Sequence, residues 1–364
     1  MKRKWKILLV GLMILSIGIA LNYENIKYSP FTSTSEPETE IEPSQEIELP
    51  QEAMSGKIAF LSTRIHGSWA IHTMDTNGSN QSELYDWTIY YPDIRFIATN
   101  SITLIAPSPD GKKIAFVGPG LSSVEGGFEG WKEDIYLVSI HGSGLIKLTD
   151  DFERDTDPSW SPDGKKIVFS SRRDGHWQIY TMDADGGNQV RITKIDGFDP
   201  DWSPDGKKIA FVSSGLVCSV WIMNADGSNP TAVIGAIGRC PRWSPDGKKI
   251  VFQSLYTHQD PDANPYYAWE ILVAHISEGD LPRIVKLTNE NPLNPYNMTY
   301  IKPGKAYQGH QNPSWSSDGK KIFFNLALHD DIQIYVMNAD GSNHVKLTEK
   351  GTNQYPIFLP TPKK

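Results

Sequence analysis

The 364-residue chain is 11% aromatic and 21% charged, with 30 Gly and 25 Pro, the composition of a folded, turn-rich β protein and not of a disordered chain. Its net charge of −8 argues against the basic surface that nucleic-acid binding needs. Length alone leaves both one large core and two ordinary ones open, so internal repeats decide the organisation.

At the N-terminus, Lys2, Arg3, Lys4 and Lys6 precede an uncharged, mainly apolar run from Ile7 to Leu21, the pattern of an export signal. At ~1.5 Å per residue the run spans about 22 Å, short of a ~30 Å hydrocarbon core unless Trp5 and Tyr23 extend it at the interfaces. Ile19-Ala20-Leu21-Asn22 offers no small-x-small cleavage site, and no Cys follows to accept a lipid. Residues 1–21 therefore read as a signal anchor, which would hold the chain on the membrane with its bulk outside the cytoplasm. A cleaved signal peptide, giving a secreted or periplasmic protein, is the other reading. Residues 22–54 hold eight Glu, one Lys and four Pro, an acidic Pro/Glu/Ser/Thr-rich stalk that cannot bury enough surface to offset chain entropy. With +4 in the first 21 residues and −7 in the stalk, the remainder is left at −5 and is itself acidic.

From residue 55 onward the chain repeats. Ser-Pro-Asp-Gly-Lys-Lys-Ile stands at Ser108–Ile114, Ser161–Ile167, Ser203–Ile209 and Ser244–Ile250, Ser316–Ile322 is a variant with Ser317, and Ser55–Ile58 is a degenerate copy. In the third unit, Asp157–Trp160, Lys166–Ser171, Gln178–Met182 and Gln189–Thr193 parse as four short strands. Pro162, Asp163 and Gly164 set a tight first hairpin, and Asp183–Asn188 forms a second turn. Four antiparallel strands repeated six times predict an all-β, six-bladed β-propeller with four-stranded antiparallel blades over residues 55–360. The first unit lacks its innermost strand. Asn353–Pro360 has the right pattern to supply it, so the ring is expected to be closed by the C-terminal strand completing blade 1.

Trp-Ser-Pro-Asp-Gly-Lys-Lys-Ile followed by Ile-Tyr-x-Met-x-Ala-Asp-Gly resembles the TolB-type, WD-like propeller repeat, over nearly all of Ser55–Pro360. The resemblance implies the fold. Similar propellers serve in TolB-like periplasmic proteins, in oligopeptidases and in some sugar-degrading enzymes, so it leaves function open. The chain departs from TolB in having a stalk where TolB has a folded N-terminal domain.

In such a blade the first-to-second and third-to-fourth turns lie on one face and the other connections on the opposite one. The long insertions, Thr88–Asn100, Gly118–Lys132, Leu255–Ala268 and Asn289–His310, fall on the second face. They and their flanks carry Trp87, Tyr90, Tyr91, Phe128, Trp131, Tyr256, His258, Tyr266, Tyr267, Trp269, Tyr296, Tyr300, Tyr307 and His310, expected as a binding face for an envelope or secreted protein, a peptide or a glycan. Asp155, Asp157, Asp199, Asp201, Arg239, Arg242, Gln311 and Gln354, just before or within the innermost strands, are expected at an axial channel. There they would face water or hold a cation such as Ca²⁺; no cofactor is otherwise implied. Cys218 and Cys240 are the only cysteines, and a disulfide between them and two free thiols are both open readings.

Gly-x-Ser-x-Gly, His-Glu-x-x-His, a Gly-rich phosphate loop and Cys-x-x-Cys are all absent. A binding protein is therefore the leading reading. A metal-assisted polysaccharide lyase or hydrolase using the insertion face, and a structural envelope protein, are the alternatives.

Overall fold

The structure, a computed structural model, describes residues 56–63, 69–86, 104–120, 132–215, 217–233, 237–258, 266–277, 281–288, 308–328 and 331–360, all of them strand, turn or irregular chain. No helix among them is long and apolar enough to cross a membrane. The expected anchor (1–21) and stalk (22–54) lie outside the described residues.

β1 (Lys57–Ser62), β2 (Ala70–Asp75) and β3 (Ser82–Asp86) form the first antiparallel sheet, which β4 (Ile105–Pro107) to β7 (Ile146–Lys147), β8 (Asp155–Trp160) to β11 (Val190–Arg191), and β12 (Gly197–Trp202) to β15 (Thr231–Ala232) follow with four strands each. Two further antiparallel groups, β16 (Arg239–Trp243) to β19 (Arg283–Lys286) and β20 (Gln308–Trp315) to β23 (Val345–Lys346), are joined by a short parallel contact of Ala268 with Gln308 and Trp269 with Gly309. The last strand, β24 (Asn353–Leu359), pairs with β1, Lys57 opposite Leu359 and Ser62 opposite Asn353.

Second strands such as Lys166–Ser171 are exposed at the leading Lys and buried along the rest, on both faces, because a neighbouring sheet lies on either side. The core is divided accordingly. Tyr180, Ile167 and Trp160 pack with Ala115, Ile135 and Leu137 of the preceding sheet. Ile58, Phe60, Met74 and Phe358 pack in the same way with Phe323, Ile334, Val336 and Leu347, placing the last strands of the repeat against the first. Each buried Phe or Ile in these layers contributes roughly 1.5–3 kcal/mol.

Each Ser-x-Asp-Gly turn is held by the same bonds. Ser161 Oγ donates to Asp163 Oδ1 (2.7 Å), Lys165 N donates to Asp163 Oδ1 (3.1 Å), and Lys166 N donates to Ser161 Oγ (2.9 Å). The pattern recurs at Asp110, Asp205, Asp246 and Asp318. The Ser161 bond holds the Asp163 carboxyl below its usual range. The turn prolines act between sheets: a Cβ built on Gly206 would lie 3.4 Å from Pro162 Cγ, and one on Gly247 would lie 3.3 Å from Pro204 Cγ.

Candidate functional site

Before or within each innermost strand one non-glycine residue takes a left-handed conformation: Leu104, Asp157, Asp199, Cys240, Asn312 and Tyr355, with φ of 72°, 56°, 59°, 52°, 52° and 53°. Register shifts accompany it in five strand pairs, including Thr156/Ser159 and Phe198/Asp201. In all but Leu104 a proline follows, so the repeat reads x-Pro-x-aromatic there. Asn and Asp tolerate this geometry best, which is the signal that marks the position in the sequence.

This geometry brings predicted acidic and basic residues together. Cys240 N donates to Asp199 Oδ2 (2.7 Å) and Arg242 Nη1 to Asp199 Oδ1 (3.3 Å), while Asp199 N lies 3.3 Å from Asp157 Oδ2. Asp201 accepts from Trp243 N (2.8 Å) and Ser159 Oγ (3.2 Å). Burial, reinforced by Asp199, pushes Asp157 up to about 6, and burial does the same to Asp201. Burial disfavours the Arg242 charge, but Asp199 and Asp201 outweigh it and raise its pKa. Leu104, Cys240, Arg242, Asn312 and Tyr355 line a cavity of about 20 Å³, room for about one water molecule.

Of the other residues expected at the axis, Asp155 and Arg239 have partners outside this group. Asp155 is fully buried and bound by Arg173 Nη2 (3.1 and 3.0 Å), and Arg173 also pairs with Asp151 (2.7 Å). Gln311 and Gln354 are half-buried. Arg239 turns outward, its guanidinium 5.7 Å from the Phe198 ring centre and 6.0 Å from that of Trp269. The Cys218–Cys240 bridge is not formed. Both cysteines are free, with Cys240 Sγ on Asn312 Oδ1 (3.4 Å) and Cys218 Sγ on Arg239 Nη2 (3.9 Å). Among the described residues no three His, Cys, Asp or Glu side chains are grouped to hold a metal ion.

Of the expected binding-face residues, Trp87, Tyr90, Tyr91, Phe128, Trp131, Tyr296, Tyr300 and Tyr307 lie outside the described residues. The Leu255–Ala268 insertion is partly regular structure: β17 (Lys249–His258) and β18 (Tyr266–His275) stay paired out to His258 opposite Tyr266, with Thr257 opposite Tyr267. Tyr256 is half-buried beneath Lys286 Nζ (4.4 Å). Two residues expected on the loop face are buried instead. Trp269 is 7% exposed, and its backbone pairs with Gly309 of β20, where a Cβ would fall directly against Trp269 O. His310 is 3% exposed and stands 3.4 Å from Glu270 Oε2. Burial opposes the Glu270 charge, but the bond and charge of His310 outweigh it and hold this carboxyl low.

Sequence reasoning missed Arg173, Glu270 and the exposed side chains Arg172, Phe152 (87%) and Val217 (47%), which stand in short connections without insertions.

Residues 80–259 match the model of the TolB beta propeller domain. The uncharacterized peptidase YuxL of Bacillus subtilis (strain 168) is 32% identical over 108 residues, 28% of this chain. Dipeptidyl-peptidase 5 of Porphyromonas endodontalis is 33% identical over 90 residues, 25% of this chain. The matches cover only 16% and 13% of those two proteins. Among solved structures, TolB from Acinetobacter baumannii superposes with a TM-score of 0.61 at 21% identity, over 85% of this chain and 68% of that one. Residues 80–259 thus carry the TolB-type propeller repeat, and sheet topology and superposition give the chain the fold of a TolB-type β-propeller.

Proposed function

We propose that the chain is a six-bladed propeller closed by β24, held outside the cytoplasm by residues 1–21 and a stalk of residues 22–54, and that it binds a protein, peptide or glycan through the insertion face. The six left-handed residues at the innermost strands, the β24–β1 pairing and the packing of Phe358 and Ile58 on Leu347 and Phe323 support the ring. The basic cluster and apolar run at Lys2–Leu21 support the tether.

One observation carries the binding reading: the two ends of the sheets are built differently. One end is a set of near-identical Ser-x-Asp-Gly turns whose polar side chains are spent on holding the turns. At the other, connections differ from unit to unit and expose Phe152, Val217, Arg172 and Arg239. A rigid scaffold with one variable, partly apolar end is the arrangement of a recognition surface. The peptidase relatives match over repeat-sized stretches, so their activities carry no argument for a reaction here.

The test is capture of partners from an envelope extract by the full-length protein and by a variant with Phe152, Tyr266 and Tyr267 changed to Ala, folding of both being followed by circular dichroism. Loss of a specific partner from the folded variant supports the proposal. Capture that does not distinguish the two proteins overturns the assignment of the face.

A further inference from the structure

We propose that the insertion face recognises carboxylates of an acidic polypeptide through Arg172 and Arg239, an inference that rests on the binding reading above. Apart from Arg283, the arginines among the described residues fall into two kinds. Arg154, Arg173, Arg191 and Arg242 each meet an acid, Glu133, Asp155, Asp174 and Asp199 respectively. Arg172 and Arg239 are exposed and meet no carboxylate among the described residues. Each lies instead on aromatic rings, Arg172 with its guanidinium carbon 5.8 Å from the Trp177 ring centre and Arg239 between Phe198 and Trp269.

Stacking on a ring fixes the plane of a guanidinium and leaves its N–H edges free to donate in parallel to a carboxylate. The supports are themselves fixed: Trp269 is buried, and Trp177 and Phe198 are half-buried. The two stacks are also neighbours. Gly197 N donates to Trp177 O (2.8 Å), and Phe198 is the next residue, so Arg172, Trp177, Phe198, Arg239 and Trp269 run in series across three consecutive sheets. In a protein of net charge −8, two preformed cations that meet no carboxylate among the described residues single out an anionic partner for the insertion face.

An acidic polypeptide fits better than an acidic glycan. Val217, 47% exposed, adjoins Cys218, whose sulfur touches Arg239. An apolar side chain beside a carboxylate can cover Val217, and a polyuronate has none to offer.

The experiment measures binding of the full-length protein to three immobilised polymers: a glutamate–tyrosine copolymer, polylysine and polygalacturonate. It compares wild type with R172Q/R239Q, with R239K, and with R283Q, which alters an exposed arginine that lies on no ring. The copolymer is expected to bind, more weakly in high salt, and to lose about tenfold or more in affinity in R172Q/R239Q, since a hydrogen bond to a charged group contributes ~1.5–3 kcal/mol. R239K should lose part of this, keeping charge without the fork, and R283Q should match wild type. Equal copolymer affinity in R172Q/R239Q, no copolymer binding by wild type, or a preference for polylysine would overturn the inference. A preference for polygalacturonate would overturn it in favour of a glycan ligand. In each case partner capture by the wild type, lost in the Phe152, Tyr266 and Tyr267 variant, would leave the broader binding reading standing.

Discussion

Gly78 lies directly against the carbonyl of Leu347: a Cβ built on Gly78 would come within 2.8 Å of Leu347 O, and Gln81 Nε2 donates to that same oxygen at 3.0 Å. Gly186 makes the same approach to Leu148 O at 2.8 Å, with Gln189 donating at 3.2 Å. The contact between the first unit and the last is thus built like the contact between the third and the second.

Replacing either glycine by Ala has to relieve a backbone clash in a left-handed conformation, φ +85° at Gly78 and +91° at Gly186. Each substitution is expected to cost about 1–3 kcal/mol in urea denaturation. Equal losses mean that the first and last units share an interface of ordinary strength. A neutral G78A beside a destabilised G186A would show that this contact carries no stability.

Arg173 donates to Gln189 and to both oxygens of the fully buried Asp155, and its guanidinium stacks 4.7 Å from the Tyr180 ring centre. Removing it in R173M strands a buried carboxylate whose pKa burial already pushes up to about 6. The expected loss is about 3 kcal/mol at neutral pH, recovered in part on acidification as Asp155 takes a proton. A loss that does not change with pH would place the effect in packing alone.

The repeat made much of the fold legible. The spacing of Ser-Pro-Asp-Gly and Ala-Asp-Gly located the hairpins, and the unpaired Ile58–Phe60 strand called for the partner that Tyr355–Phe358 provides. Even the departure at Ser317 has a physical reason. Each turn proline covers the turn glycine of the following unit, as Pro204 covers Gly247, but the first unit has no such turn for the sixth to cover. The site was less legible. Asp155 and Asp157 are two residues apart, yet the bulge between Thr156 and Ser159 sends one to Arg173 and the other to Asp199. Trp269 and His310 stand where β20 pairs in parallel with β18, a contact between residues some forty positions apart that no local pattern encodes.

The two cysteines should behave as separate thiols. Burial, with Asp199 close by, pushes Cys240 well above the usual thiol range, which slows its reaction with alkylating agents. Intact mass after iodoacetamide treatment should be the same with and without prior reductant, provided the protein is unfolded during labelling. Under native conditions Cys218 should be labelled before Cys240. A protein that takes up no carbamidomethyl group without reductant and two after reduction would show a bridge and contradict the free thiols.

The buried carboxylates of Asp157 and Asp201 make stability depend on pH in a direction opposite to ordinary acid denaturation. Asp157 and Asp201 have folded pKa values of about 6, raised from 3.8 by burial, so between these limits the folded chain binds more protons than the unfolded one. Stability therefore falls as pH rises from about 4 to about 6 and levels off above that. The turn aspartates such as Asp163 and Asp205 are shifted the other way, and what they contribute is lost only as pH falls below their unfolded value. Urea midpoints at pH 5 and pH 7.5 should then differ in favour of pH 5, by about 1–3 kcal/mol for the cluster as a whole. D157N, which keeps the shape and removes one titrating group, should shrink that difference. If the variant keeps the full wild-type slope, the pH dependence arises outside the Asp157, Asp199 and Asp201 cluster and the charge balance drawn around Arg242 is wrong.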